Sequence, residues 1–201
     1  MIKKQLLFAT ANPHKLIELR KAVGDWYEIA GLKDLDIHED IPETGITLEE
    51  NAKLKAEYLY DLLTLPCLAE DTGLEVFSLG GAPGVHSARY SGIDKDPEAN
   101  NTKLLHALQN RADRSAQFRT VIALVDGSNT HLFEGICMGK IALEPRGTSG
   151  FGYDPIFVPD GFDRTFAEMS LEEKSQISHR AKALQKLVKY LQNQSVQTPS
   201  S

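Results

Sequence analysis

The chain has 201 residues, 41% hydrophobic and 25% charged, proportions that exclude a disordered or fibrous protein and give enough length for one domain with its own core. Its formal net charge of −6, from 22 Lys plus Arg against 28 Asp plus Glu, argues against bulk binding to a nucleic-acid backbone or an anionic membrane, although a few local cations suffice for a small anion. Two cysteines, Cys67 and Cys137, are too few for a secreted disulfide framework, and no apolar run resembles a signal peptide or a membrane span, so the expectation is a cytoplasmic chain.

Residues 6–9 are a short apolar run that reads as a buried strand. Asn12-Pro13 follows it, a capping residue and then a proline suited to the first helical position, and Leu16, Leu19, Ala22 and Val23 continue at helical spacing. Thr47 and Glu50 form a capping box ahead of a helix that carries Leu48, Ala52, Leu59 and Leu63 near one face. A buried strand is expected over 65–69, broken at Asp71-Thr72-Gly73, with a strand pattern resuming over 74–79 and ending in the loop Gly80-Gly81-Ala82-Pro83-Gly84. Asp96-Pro97 starts a helix to about Leu108. Residues 117–125 and 130–143 are β-rich and flank Asp126-Gly127-Ser128-Asn129, which predicts a hairpin. After a glycine-rich loop over 147–155, Ser170 and Glu173 cap a helical stretch to about Leu191. The polar remainder reads as a tail, so a single domain is expected over 1–194 and a disordered segment over 195–201. Alternating helices and strands with one hairpin indicate an α/β fold with a mixed sheet flanked by helices.

Five segments carry candidate chemistry. The turn Thr10-Ala11-Asn12-Pro13-His14-Lys15 joins the first strand to a helix N-terminus, where free amides and a first-turn lysine attract anions; an ordinary cap with a solvated lysine is the plainer alternative. Asp71, at a strand end, is placed to hold a divalent cation near phosphates or else to make a simple turn, while alternation sends Glu70 to the opposite face, away from the site. Any acid of 39–43, up to Glu43, is a candidate second metal ligand, and Asn51 and Lys55 share a helix face from which Lys55 reaches phosphate or solvent. In Gly150-Phe151-Gly152-Tyr153-Asp154-Pro155 the glycines admit close approach, and Phe151 or Tyr153 offers a ring for stacking on a planar base. Lys174 precedes Ser178-His179-Arg180, in which His179 lies off the apolar stripe of Ile177, Ala181, Leu184, Val188 and Leu191. That phase suits a helix that breaks so that Ser178 caps a new one, or a solvated pair on a continuous helix.

Taken together, 8–15, 70–74, 80–92, 150–155 and 173–180 closely resemble, in order, the motifs of the inosine triphosphate pyrophosphatase family, with likeness from Leu6 to about Leu191. The resemblance implies two lobes with an active-site cleft between them, a homodimer, Mg²⁺, and hydrolysis of ITP, dITP and XTP to the nucleoside monophosphate and diphosphate. It implies that Thr10, Ala11, Asn12, Pro13, His14, Lys15, Lys55 and Thr72 hold the triphosphate. Glu43 and Asp71 would position the metal, with Asp71 also the general base. Phe151, Gly152, Tyr153, Asp154, Lys174, His179 and Arg180 would surround base and sugar. The family often has Gly at the position of Ala11 and Ser at that of Thr72, changes that keep a small residue and a hydroxyl. Two other functions fit the motifs: a related pyrophosphatase for modified pyrimidine nucleotides, and a nucleotide-binding regulator without turnover, which the retention of both Glu43 and Asp71 disfavours.

Overall fold

Strand β1 (Lys4–Phe8) lies parallel to β2 (Tyr27–Gly31), with Leu6 opposite Ile29, and parallel to β3 (Cys67–Val76), with Phe8 opposite Leu68. The structure, a computed structural model, describes residues 3–196 apart from Asp25 and Asp40, and the backbone alone at His14, Ser195 and Val196. A two-residue strand β4 (Pro83–Gly84) pairs antiparallel with β3. Strands β5 (Ser115–Asp126) and β6 (Asn129–Ile141) form the expected hairpin around Gly127-Ser128, where Gly127 takes φ 63°. β7 (Phe157–Pro159) adds antiparallel to β6. The sheet is therefore mixed, in the order β2-β1-β3-β5-β6-β7 with β4 beside β3.

Helix α1 (Pro13–Val23) begins where Asn12 caps it: Asn12 Oδ1 accepts from Lys15 N at 3.4 Å. α2 (Leu48–Leu63) has the Thr47/Glu50 capping box and ends at Thr64 in the left-handed region. α3 (Pro97–Ala107) is capped by Asp96. The C-terminal stretch is two helices, α4 (Leu171–Ile177) and α5 (His179–Val196). Ser178 separates them: its amide closes α4 on Lys174 O, while its Oγ accepts from Ala181 N at 3.2 Å to open α5.

The chain forms two compact units. The first comprises 1–71, 121–134 and 183–201, and its core gathers Leu6, Phe8, Leu19, Val23, Ile29, Leu68, Ile122, Leu124, Ala183, Leu187 and Leu191. The second comprises 72–120 and 135–182, around Leu74, Val76, Leu104, Phe118, Ile156, Phe157 and Phe166. Both thiols are buried, and Cys67 is pushed up to about 12 by that burial.

Several expectations need correction. β3 is one continuous strand through Asp71-Thr72-Gly73 rather than two pieces, since β-branched Thr72 suits an extended backbone. β2 and β7, both short, had no counterpart in the sequence reading. α5 continues past Leu191 to Val196, because Gln192 to Ser195 include no proline or glycine to stop it. Residues 197–201 of the expected tail lie outside the described residues. No described helix is long and apolar enough to cross a membrane.

Candidate active site

The parallel pairing of β1 and β3 sets up the first cluster. β1 ends at Phe8, whereas β3 continues past the residue paired with it, so Glu70 and Asp71 lie beyond the carboxyl end of β1, beside the turn into α1. Such strand ends are where open α/β sheets bind ligands. The turn is built by its own polar groups: Thr10 Oγ1 accepts from Asn12 N at 3.1 Å, and Asn12 caps α1. Ala11 and Pro13 are exposed in that turn, and the His14 side chain lies outside the described residues. Lys15 Nζ lies 2.9 Å from Glu70 Oε1, and Glu70 is buried. Alternation does send Glu70 and Asp71 to different faces, but Glu70 does not point away from the candidate residues. It holds one of them.

Asp71 faces α2. Lys55, expected as a surface or phosphate-reaching lysine, is buried, with Nζ 2.7 Å from Glu43 and 3.3 Å from Asp71. Asn51, one helical turn earlier, donates from Nδ2 to the other Asp71 oxygen at 3.2 Å. Burial, with help from nearby Glu43, raises the Asp71 pKa above the ordinary carboxylate value against the opposing pull of Lys55 and Asn51. A raised pKa suits a carboxylate that must accept a proton. Among the described residues no group of three or more His, Cys, Asp or Glu gathers as a metal cage. The donor set is two carboxylates brought to within hydrogen-bonding distance of one cationic nitrogen. Hard oxygens in that number fit a divalent cation that completes its shell with phosphate and water.

In the second unit Thr72 Oγ1 shares a hydrogen bond of 2.7 Å with buried Thr120 Oγ1. The 150–155 loop and the α4–α5 junction form a further cluster there. Phe151 is exposed, whereas Tyr153 is a core residue whose hydroxyl donates to Ser87 O at 2.8 Å. Its ring is therefore enclosed, and of the two rings only that of Phe151 is presented at the surface. Asp154 is buried, accepts from Phe151 N at 2.8 Å and pairs with Lys174. Gly150 takes φ 80°, and a Cβ there would collide with the Asp154 carboxylate, so glycine is required on both counts. Gly152 O accepts from Asn101 of α3 at 3.1 Å. Lys174 Nζ and the Arg180 guanidinium lie 5.1 and 5.8 Å from the Phe151 ring centre.

His179 stacks on Phe118, with ring centres 4.6 Å apart and an angle of 16°. The helix break at Ser178 changes the phase expected for this segment. Beside Arg180, the buried positions among the described residues of α5 are His179, Ala183, Leu187 and Leu191, four residues apart each time, so His179 heads the buried stripe rather than lying off it. Asn51, Glu70, Asn101 and Thr120 were not assigned roles from sequence. For Asn51 the signal was its i, i+4 spacing from Lys55; nothing local marked the others.

The model of the Ham1 family matches residues 6–190. A dITP/XTP pyrophosphatase of Christiangramia forsetii is 54% identical over 93% of this chain and 98% of its own length, and one of Porphyromonas gingivalis is 53% identical over 94% and 97%. The structure of the Staphylococcus aureus Ham1 protein superposes with a TM-score of 0.90 at 43% identity, covering 95% of this chain and all of that one. With matches of this length in both sequence and structure, the chain belongs to the Ham1 family.

Proposed function

We propose that this protein is a nucleoside triphosphate pyrophosphatase that hydrolyses deaminated purine nucleotides, ITP, dITP and XTP, to the monophosphate and diphosphate. The observation that carries the reading is the buried Lys55, whose Nζ is set between the carboxylates of Glu43 and Asp71. It stands in a chain related along nearly its whole length to proteins named dITP/XTP pyrophosphatase.

Attack at the α-phosphorus needs a deprotonated water, charge neutralisation and a held leaving group. Asp71 takes the proton of a water whose oxygen bonds to the α-phosphorus as the bond from that phosphorus to the bridging oxygen breaks and diphosphate leaves. Glu43 and Asp71 would hold Mg²⁺, which when bound neutralises phosphate charge. Lys15 and Lys55 pair with phosphate oxygens, and the α1 N-terminus adds free amides. Thr10, Ala11, Asn12, Pro13, His14 and Thr72 shape that phosphate-binding part.

In the second unit Phe151 offers its face to the base, Gly152 keeps the loop close, and Asp154 holds Lys174. His179 and Arg180 donate to the 6-keto oxygen. An adenine 6-amino group would leave such donors unpaired, at a cost of about 1–3 kcal/mol. The reading carries with it a homodimer and a cytoplasmic nucleotide pool as its setting, with one catalytic domain over 1–194.

Diphosphate release measured over ITP, XTP, dUTP, GTP and ATP tests it. Turnover of ITP and XTP well above ATP is expected. Preference for dUTP would favour a pyrimidine enzyme, and ITP binding without release would favour a sensor. Sedimentation of the purified protein tests the dimer.

A further inference from the structure

We propose that Asn51 is the positioning residue that holds the two acidic groups of the first unit in register. Its amide is 2% exposed and is used at both ends. Oδ1 accepts from Gly45 N at 2.8 Å, two residues after Glu43, and Nδ2 donates to Asp71 Oδ2 at 3.2 Å. The partners fix which way the amide points, since a backbone N–H must meet the oxygen and a carboxylate must meet the NH₂. One planar group thus ties the segment bearing Glu43 to the middle of β3, which bears Asp71.

No other side chain of this size does both jobs. An aspartate would keep the acceptor for Gly45 but set an oxygen against the Asp71 oxygen. A leucine would lose both contacts. The Gly45 contact itself demands a missing side chain, because a Cβ there would lie 2.6 Å from Glu50 Cβ and 2.8 Å from Asn51 Oδ1. Lys55, one turn further along α2, touches Glu43 and the remaining oxygen of Asp71. α2 therefore works as a template: Lys55 supplies charge between the carboxylates, and Asn51 supplies direction to one of them and to the backbone that carries the other.

The inference rests on the pyrophosphatase reading for its kinetic arm and stands without it for its binding arm. Asn51→Asp, which preserves the Gly45 tether, is compared with wild type for diphosphate release from ITP at saturating Mg²⁺, and Asn51→Leu for the rise in Tm that Mn²⁺ alone produces without nucleotide. Misplacement of a reacting group by about 1 Å costs on the order of a hundredfold, so kcat of Asn51→Asp should fall about that far while KM for ITP stays within about threefold. The Mn²⁺-induced rise in Tm should shrink in Asn51→Leu, which loses both contacts without adding a charge beside the carboxylates. Gly45→Ala, which pushes on the same contact from a loop, should lower kcat in the same direction and guards against misfolding of the first variant. Wild-type kcat in both variants, or a raised KM with kcat unchanged, overturns the proposal. So does an undiminished Mn²⁺ response in Asn51→Leu. A wild-type protein that leaves ITP intact overturns the functional reading instead, and the Mn²⁺ comparison then decides this inference alone.

Discussion

Glu70 and Asp71 are consecutive residues of β3, yet each meets a different lysine: Glu70 lies 2.9 Å from Lys15 of α1, and Asp71 lies 3.3 Å from Lys55 of α2. The two-residue period of a strand makes this possible, because neighbouring side chains leave on opposite faces. One stretch of strand thereby meets two cations that belong to different helices. The consequence is a division of labour between adjacent acids, one pairing with a lysine in the first turn of α1 and the other standing beside Asn51 and Lys55 of α2.

Asp71→Asn keeps the size of the side chain and removes its ability to take a proton. Its kcat for ITP should fall by about 10²–10⁴, the range a positioned general base contributes. The variant should remain folded, since an amide still bonds at that position. Diphosphate release alongside thermal unfolding checks both halves, and turnover near wild type would remove Asp71 from the mechanism.

Glu70→Gln leaves the Lys15 ammonium facing a neutral amide beside a buried site. Because Lys15 is only partly exposed, the pair should couple by about 1–3 kcal/mol in a double-mutant cycle with Lys15→Met. Urea unfolding of the four proteins measures that coupling. A value near zero would show that Glu70 does not hold Lys15.

Arg180→Ala separates base recognition from phosphate binding. If Arg180 donates to the 6-keto oxygen, turnover of ITP and XTP should drop about tenfold to a hundredfold more than turnover of ATP, the worth of a charge-assisted hydrogen bond. Equal losses on all three triphosphates would make Arg180 a phosphate clamp. The ITP-to-ATP ratio in wild type and variant is the quantity to compare.

Glu173 caps α4 and pairs with Arg164, and its carboxyl is held down at about 2 by the Ser170 amide first and by Arg164 second. A depressed folded-state value means that this stabilisation is present above the ordinary glutamate value of 4.5 and is lost as pH falls from there through about 2. The Tm gap between wild type and Glu173→Gln should therefore be widest near neutrality and close across that acid window. A gap that stays constant with pH would assign the effect to packing.

The local signals in the sequence were strong wherever a cap or turn fixes the backbone within a few residues. Asn12-Pro13, Thr47 with Glu50, Asp96-Pro97 and Ser170 with Glu173 all mark observed helix starts, and Gly127-Ser128 marks the hairpin. The misreadings occurred where tertiary pairing decides. β2 is strand because β1 pairs with it, and β3 runs through Thr72-Gly73 because its neighbours hold it extended. At the site, helical spacing put Asn51 and Lys55 on one face, but only the packing of α2 buries that face against Asp71. Likewise the phase of His179 depended on where the helix breaks, and Tyr153 joined the core through a bond to Ser87 that lies 66 positions away in sequence.

The interleaving of the two units has a bearing on synthesis. The second unit ends at residue 182, so every residue of its core has been made before α5 begins. The core of the first unit needs Leu6 and Phe8 from the start of the chain together with Ala183, Leu187 and Leu191 from near its end. On a ribosome β1 and β2 are made long before α5, so Leu6, Phe8 and Ile29 lack their final neighbours until residues 183–191 have been added. β1 is thus fully covered only once α5 has been made, and a nascent chain stalled before residue 183 would display an apolar β1–β2 surface that a chaperone could recognise.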